Sequence, residues 1–497
     1  MILTIAVKTV IGLILALVGA ARFEETWKME HGISSINKTK SKYYNKDTFI
    51  YLFPTAFLWI VLIVIIFYFI EFGIASGTGI LINLFVNVIA FSGVYSVILL
   101  LLMPYLRQKI SSRACAVLWF CPILIFFGSY PEFIFNNSRI FTVYLSKNAI
   151  KIIILIWFLG FLISYGRSLI LHYSFRKKVL SESYAVADEK TIAIFENVCK
   201  GLEFSRPTAL FISPYIDSPF SMGRIKRTRC VVLPPQKYSE EELKMIFLHE
   251  VHHLQRWDVD TKIFLTFLKC VCWFTPFSWI AVKEASRDIE LSCDEIVTEK
   301  MTSEERKSYA QLLLTTASGQ RGFTTCLSAS AEALRYRLKN VVQLRSRSLG
   351  KTAIIIAIFI SSIFFNLIAI TDERGTLKSF VTLDGQEMSY RIEYNIYSKS
   401  DVNQTADNRT SDGSKFKAEA SEDEMTERLL SDIIVEHYLC RQGFYTGEEP
   451  EYYIYINGSQ RGTGYRLVTI YENYVTITDI MQTGAEEHIE VFRIIHR

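Results

Sequence analysis

The stretch IFLHEVHHLQR at 246–256 holds His249, Glu250 and His253 in the order HExxH. On a helix, residues four apart share a face. Two imidazoles so placed can hold one metal ion, with Glu250 beside them as a general base for water. Zinc suits such a pair, and the chemistry on offer is metal-assisted hydrolysis. His252 falls on another face and points away from the metal. The helix is signalled by Ser239, a capping residue type, and by Glu240, Glu241 and Glu242 in the first turn. Leu243, Phe247, Leu248 and Val251 then supply an apolar stripe.

HExxH alone is a weak signal, because catalytic zinc takes a third protein ligand. Downstream, SRDIELSCDE at 286–295 reads as a second helix with Glu290 and Asp294 on one face. Glu290 is the expected third ligand. Asp294 is then placed to hydrogen-bond a ligand histidine from behind. A solvated charged face is the bland alternative, and the HExxH upstream with an intervening apolar hairpin weighs against it. Val231, Val232 and Leu233 are β-branched or apolar and are expected to form an edge strand near the metal. Extended peptides add to such edges. Arg287 contacts the developing oxyanion, holds Glu290, or pairs with a nearby acid; Asp258 is equally open. Gly223 fits a turn before the strand.

The elements around these residues are greasy. The chain has 497 residues, 50% hydrophobic and only 21% charged. Apolar runs near 1–20, 51–72, 79–104, 113–132, 148–170 and 352–370 approach or exceed the roughly 20 residues a bilayer-crossing helix needs. A seventh, Ile263 to Val282, is broken by Lys269 and Pro276. The first run lacks a small-residue cleavage site and reads as an anchor. Basic residues orient the crossings. Lys38, Lys40, Lys42 and Lys46 precede the second run; Arg107, Lys109 and Arg113 separate the third from the fourth; Arg167, Arg176, Lys177 and Lys178 close the fifth. This places the N-terminus outside, residues 172–350 in the cytoplasm and 372–497 outside.

The charge distribution agrees. Residues 372–497 carry about 13 Lys+Arg against about 23 Asp+Glu, so a chain of net +4 is near +14 elsewhere. A basic cytoplasmic face beside anionic membrane lipid accounts for this, and direct nucleic-acid binding is not expected. Of nine cysteines only Cys440 falls outside, which leaves no disulfide within the external segment.

At this point the chain resembles the BlaR/MecR-type membrane metallopeptidases, bacterial antirepressor sensors of the gluzincin type, over roughly 200–370. The resemblance rests on Ser213-Pro214, on Ser218-Pro219-Phe220-Ser221-Met222-Gly223 and on Val231-Val232-Leu233-Pro234 before the HExxH. It continues in Arg256-Trp257-Asp258 after it, in Trp273-Phe274-Thr275-Pro276, and in Arg287 to Asp294. It implies one zinc held by His249, His253 and Glu290, with Glu250 as catalytic base. It also implies a cytosolic substrate, a DNA-binding transcriptional repressor. The expected fold class is a multi-pass α-helical membrane protein with a cytoplasmic α+β gluzincin-like zinc peptidase domain and a small extracellular α+β domain. Residues 1–171 form a transmembrane region of about five helices. Residues 172–350 form the peptidase domain, with a membrane-embedded hairpin near 263–282. Residues 351–371 are the last crossing, and 372–497 a sensor-like domain for an unknown extracellular ligand. A homodimer in the bacterial cytoplasmic membrane is one compatible assembly.

The chain departs from the β-lactam sensors of that family at its end. Within residues 372–497 one Ser-x-x-Lys occurs, at 414–417, in the polar stretch Ser398 to Glu424. A nucleophile needs a rigid site with an activating base, so covalent β-lactam sensing is not expected. The external segment reads instead as strands at Ser379–Leu383, Ser389–Tyr397, Tyr452–Ile456, Tyr465–Tyr471, Tyr474–Ile480 and His488–Ile495, with a helix over Asp423 to Cys440. Self-cleavage in a flexible linker near Leu344–Lys351 is a further expectation. Two rival readings are a quality-control or prenyl-protease-like zinc peptidase, and a receptor with a relic peptidase domain.

Overall fold

A computed structural model of the chain describes residues 2–31, 54–123, 141–223, 228–316, 331–343, 347–363, 368–381, 389–395, 416–419, 423–438, 450–457, 465–480 and 486–496. The first part is helical: α1 (Ile2–Glu30), α2 (Pro54–Lys109) and α3 (Ser112–Leu118), then strand β1 (Phe141–Tyr144) and α4 (Lys147–Ser181). Within α2 the chain folds back. A Cβ on Gly77 would lie 3.0 Å from the Tyr68 carbonyl, and Val64 and Tyr68 pack on Ile80 and Leu81. Nine residues of straight helix would hold these groups about 13 Å apart, so two helical arms lie side by side, as the runs 51–72 and 79–104 require. Among the described residues, Gly77–Lys109 and Lys147–Ser181 are long and apolar enough to cross a membrane.

The expected crossing at 113–132 takes a different form. It is helical only over Ser112–Leu118, ends in a 3-10 turn at Cys121–Ile123, and lies outside the described residues from 124. Its apolar character serves protein packing: Ala114, Cys115, Leu118 and Phe120 are buried against Ala16 and Ala20 of α1 and against residues of later helices.

The middle of the chain carries β2 (Tyr184–Ala185), α5 (Glu189–Gly201), β3 (Ala209–Ile212), β4 (Phe220–Met222) and β5 (Cys230–Leu233). It continues with α6 (Glu240–Gln255), α7 (Asp258–Val271), α8 (Pro276–Thr298), α9 (Ser303–Thr316) and α10 (Ala331–Val342). The four strands form one sheet in the order β2-β3-β5-β4, with β3 parallel and β4 antiparallel to β5. The expectation that Val231–Leu233 form the edge is therefore corrected: β5 is an inner strand, and the edge is Phe220–Met222. The reason lies in the turn. Gly223 has φ +90°, where an L side chain is strained, and an added Cβ would overlap the Thr228 carbonyl. That turn folds β4 back onto β5 and covers it.

Two cores meet on α8. One gathers Ala16 and Phe23 of α1, Met103 of α2, Phe264 and Leu265 of α7, and Ala285 and Ile289 of α8. The other gathers Val231, Ile246, Phe247 and Val251 with Cys293 and Val297 of α8, Tyr309 and Leu313 of α9, and Val341 of α10. The α7–α8 hairpin thus packs against the apolar helices. Its tip docks on α4, where Trp157 Nε1 donates to the Val271 carbonyl at 2.9 Å and Trp273 Nε1 to the Trp157 carbonyl at 3.1 Å. Small residues let helices approach closely, and Gly160 does so here.

The apolar helix expected to fill 352–370 is shorter than that run. Helix α11 (Lys351–Ile363) gives way to strand β6 (Ile368–Thr376), so 368–370 are extended. It runs antiparallel to α1, with Gly19 against Ile358 and Glu24 ion-paired with Lys351. Residues 347–350, expected to be flexible, are pinned: Ser348 exchanges backbone hydrogen bonds with Lys109 and Ser111, and Arg347 donates to Asn340 and Ser112. Residues 344–346 lie outside the described residues.

Beyond β6 come α12 (Leu377–Val381), β7 (Ser389–Asn395), β8 (Phe416–Glu419), α13 (Asp423–Asp432), β9 (Ile434–Tyr438), β10 (Tyr452–Asn457), β11 (Tyr465–Ile470), β12 (Tyr474–Ile480) and β13 (Glu486–His496). They form one sheet in the order β1-β6-β9-β13-β12-β11-β10-β7-β8. The strand expected at Ser379–Leu383 is instead helical to Val381, because Leu377 and Val381, four apart, bury one face against the sheet. The helix expected to reach Cys440 stops at Asp432 and continues as β9. Ser414, Lys415 and Cys440 lie outside the described residues. Strand β1 joins this sheet parallel to β6, with Phe141 opposite Ile368.

Gly160→Leu is expected to push Trp273 from its seat and cost about 1–3 kcal/mol, seen as a lower melting temperature and a red-shifted tryptophan emission. Gly166→Leu on the same helix, where an added Cβ meets nothing within 4 Å, should leave both unchanged.

Candidate metal centre

Helix α6 starts as its sequence prescribes. Ser239 Oγ accepts from the Glu242 amide and the Glu242 carboxylate accepts from the Ser239 amide, a reciprocal capping box. Its far end turns at Trp257, a non-glycine residue at φ 58°. That reversal starts α7 at Asp258 and returns its carboxylate to His253, five residues back.

His249 Nε2 and His253 Nε2 lie 3.1 Å apart. Glu290 on α8 faces both, with Oε2 at 3.6 Å from His249 Nε2 and Oε1 at 3.6 Å from His253 Nε2. Zinc bonds of about 2.0–2.2 Å in a tetrahedron separate neighbouring ligands by roughly 3.3–3.5 Å. The three expected ligands therefore stand at the spacing one zinc ion demands.

The outer nitrogens are engaged. His253 Nδ1 donates to Asp258 at 2.7 Å. His249 Nδ1 donates to the Tyr309 hydroxyl at 3.0 Å, and that hydroxyl donates to Asp294 at 2.8 Å. Both rings then carry their proton on Nδ1 and present the Nε2 lone pair to the metal. Asp294, expected to hold a ligand histidine, does so mainly through Tyr309, its own oxygen being 3.5 Å from His249 Nδ1. Arg337 of α10, almost fully buried, grips Asp294 with two bonds of 2.6 Å. Glu290 is held by Lys262 of α7 at 2.6 Å, with Arg337 at 3.6 Å. Arg287 pairs with Glu284 at 2.7 Å and stacks on Tyr336, the ion-pair outcome among those open to it.

Electrostatics favour a cation here. Burial opposes charge on both histidines, yet Cys293 and Glu290 lift His249 to about 9 and hold His253 well above the ordinary imidazole range. Burial likewise opposes charge on Glu290, but Lys262 and the imidazoles keep it well below the usual carboxylate range. Asp258 resists burial through Arg256 and the His253 hydrogen bond, and sits at about 2. A divalent ion supplies the positive charge that protons would otherwise bring. Glu250 is fully buried with neither carboxylate oxygen hydrogen-bonded, and Glu290 Oε2 also lacks a hydrogen-bond partner. Orphaned buried oxygens are costly, and metal and water answer that cost. His252 is buried off the ligand face, where desolvation pushes it down to about 3 and keeps it neutral.

The span matched by the family comparison covers this site. The model of the BlaR1 peptidase M56 family matches residues 132–341. Over that segment the chain is similar to the BlaR1-type M56 peptidases. The regulatory protein BlaR1 of Bacillus licheniformis is 29% identical over 162 residues, 32% of this chain and 27% of that protein. The methicillin resistance mecR1 proteins of Staphylococcus aureus and Staphylococcus epidermidis are 25% identical over 114 residues, 22% of this chain and 19% of theirs. The matches thus span under a third of each relative. The M56 segment contains every residue of the centre described above. Tyr309, Arg337 and Lys262 carried no spacing signal, because each reaches the site from a different helix.

Arg337→Met is expected to leave Asp294 buried beside a neutral side chain and to cost about 3–5 kcal/mol, read as a drop in melting temperature. Arg337→Met with Asp294→Leu should recover much of that loss. Asp258→Asn should weaken zinc binding about 10–100-fold, measured by competition with a chromogenic chelator.

Proposed function

We propose that the chain is a membrane-bound zinc endopeptidase of the antirepressor-sensor type, cleaving a cytosolic transcriptional repressor in response to an extracellular signal. The observation that carries this reading is the triangle of His249, His253 and Glu290 beside the unpartnered carboxylate of Glu250. Those three residues would hold the ion. When bound, zinc supplies Lewis acidity toward the scissile carbonyl and water.

The chain's own residues supply the rest. Water attacking the carbonyl gives a proton to Glu250, which passes it to the leaving amine nitrogen. Asp258, and Tyr309 with Asp294, fix the histidine rings. The substrate lies extended along Phe220–Met222, the terminal strand of the four-stranded sheet, its backbone hydrogen-bonded as an added strand. Exclusion of bulk water by the two cores strengthens each of these interactions.

The crossing pattern read from basic residues stands as part of the proposal. It is supported by the fold-back of α2, by the antiparallel pairing of α1 with α11, and by β1 joining the sheet that follows α11. All three are what alternate crossings with 172–350 inside and 372–497 outside would produce. The signal would travel from the outer sheet through α11.

Cells making the wild-type chain or Glu250→Gln separate this proposal from its rivals when the new N-termini of cytosolic proteins are sequenced. A DNA-binding repressor should be cut by the wild type, with the rate down about 10²–10⁴-fold in the variant. Identical N-termini in both, with the wild type folded and metal-loaded, would point to a relic site.

A further inference from the structure

Cys293 has no part in the hydrolysis described above, yet it sits at the metal centre. It lies three residues after Glu290 on α8, on the same helical face. Its side chain is fully buried, and Sγ and one nitrogen from each of His249 and His253 lie within 4.8 Å of one another. Sγ donates to the His249 carbonyl at 3.4 Å, which keeps it pointed at the HExxH helix. A buried cysteine usually packs as a small hydrophobe. This one faces two imidazoles, and Glu290, three residues before it on α8, has its Oε2 buried without a hydrogen-bond partner. Three metal-binding groups therefore lie together, with Glu290 one helical turn back on α8 and 3.6 Å from each imidazole.

We propose that Cys293 is a fourth protein ligand to the ion, so that the resting peptidase is closed by its own thiolate. The proposal rests on the zinc-peptidase reading. Catalytic zinc keeps a position open for water, whereas four protein ligands make the closed, structural type of site. With Sγ bound, water has no place and Glu250 has nothing to deprotonate, which leaves its carboxylate idle. The thiol gives its proton to solvent on binding the ion and takes one back on leaving. Withdrawal of Sγ leaves His249, His253 and Glu290 in place and opens the fourth position.

The geometry also says what would withdraw it. Helix α8 is gripped further back by Arg107 of α2, which donates to Glu284 at 2.7 Å and to Asp288 at 2.7 and 3.0 Å. A small rotation of α8 driven through α2 moves Cys293 and Glu290 together. The flexible carboxylate can follow the ion, and the short thiol cannot.

The test uses the full chain in detergent, stripped of metal and titrated with cobalt(II) alone. Wild type is expected to bind one cobalt and to show the intense near-ultraviolet sulfur-to-cobalt charge-transfer band. Cys293→Ser should still bind one cobalt and lose the band. A wild-type chain that binds one cobalt without the band, or a band that survives in Cys293→Ser, overturns the proposal and leaves the peptidase reading standing. Binding of no metal by a folded wild-type chain overturns both. X-ray absorption on the wild-type zinc form needs no variant. A sulfur shell at about 2.3 Å beside nitrogen and oxygen at about 2.0–2.2 Å supports the proposal, and nitrogen and oxygen alone refute it.

Discussion

Charge taken out of water has to be balanced, and that constraint organises this molecule more than any single apolar contact. His249, Glu250, His253, Asp258, Glu290 and Asp294 are all buried within one small region. Isolated, each carboxylate would cost several kcal/mol. The fold answers by bringing cations from distant elements: Lys262 from α7, Arg337 from α10 and Arg256 from the end of α6. One negative cluster is still incompletely served, at the point where the two Nε2 atoms and Glu290 converge. A divalent ion held there would complete the balance and would couple metal binding to the stability of this region.

The same constraint explains why the peptidase core and the apolar helices are one structure. Helix α8 belongs to both cores, with Ile289 in one, Cys293 in the other and Glu290 between them. Arg107 reaches from the end of α2 to Glu284 and Asp288, and Glu30 of α1 lies 3.3 Å from Arg256. Displacement of α1, α2 or α11 therefore reaches the ligand helices through ion pairs that are expensive to break. The site is thus mechanically tied to the apolar helices.

What was legible in the sequence followed the range of the interactions involved. The α6 cap, the HExxH face and the approach of Glu290 are local or helical facts, and residue spacing reveals them. The inner position of Val231–Leu233 was not legible, because it depends on a hairpin closed by Gly223 at φ +90°. Neither was the burial of 112–121, whose apolar residues pack against α1 and later helices. Ser379 and its neighbours read as a strand until Leu377 and Val381 are seen to bury one helical face. Tyr309 and Arg337 stayed invisible, since a single buried tyrosine or arginine has meaning only through Asp294, which it meets in three dimensions. Cys293 was quoted as part of a motif, and only its distance to the imidazoles gave it a role.

Metal analysis of the purified full chain tests the central claim most directly, with the fold followed in the same sample by thermal melting. About one zinc per chain, reduced in Glu290→Gln and absent in a variant lacking both His249 and His253, is the expected result. A wild-type chain that melts cooperatively and holds no zinc, even when zinc is supplied, would contradict the account.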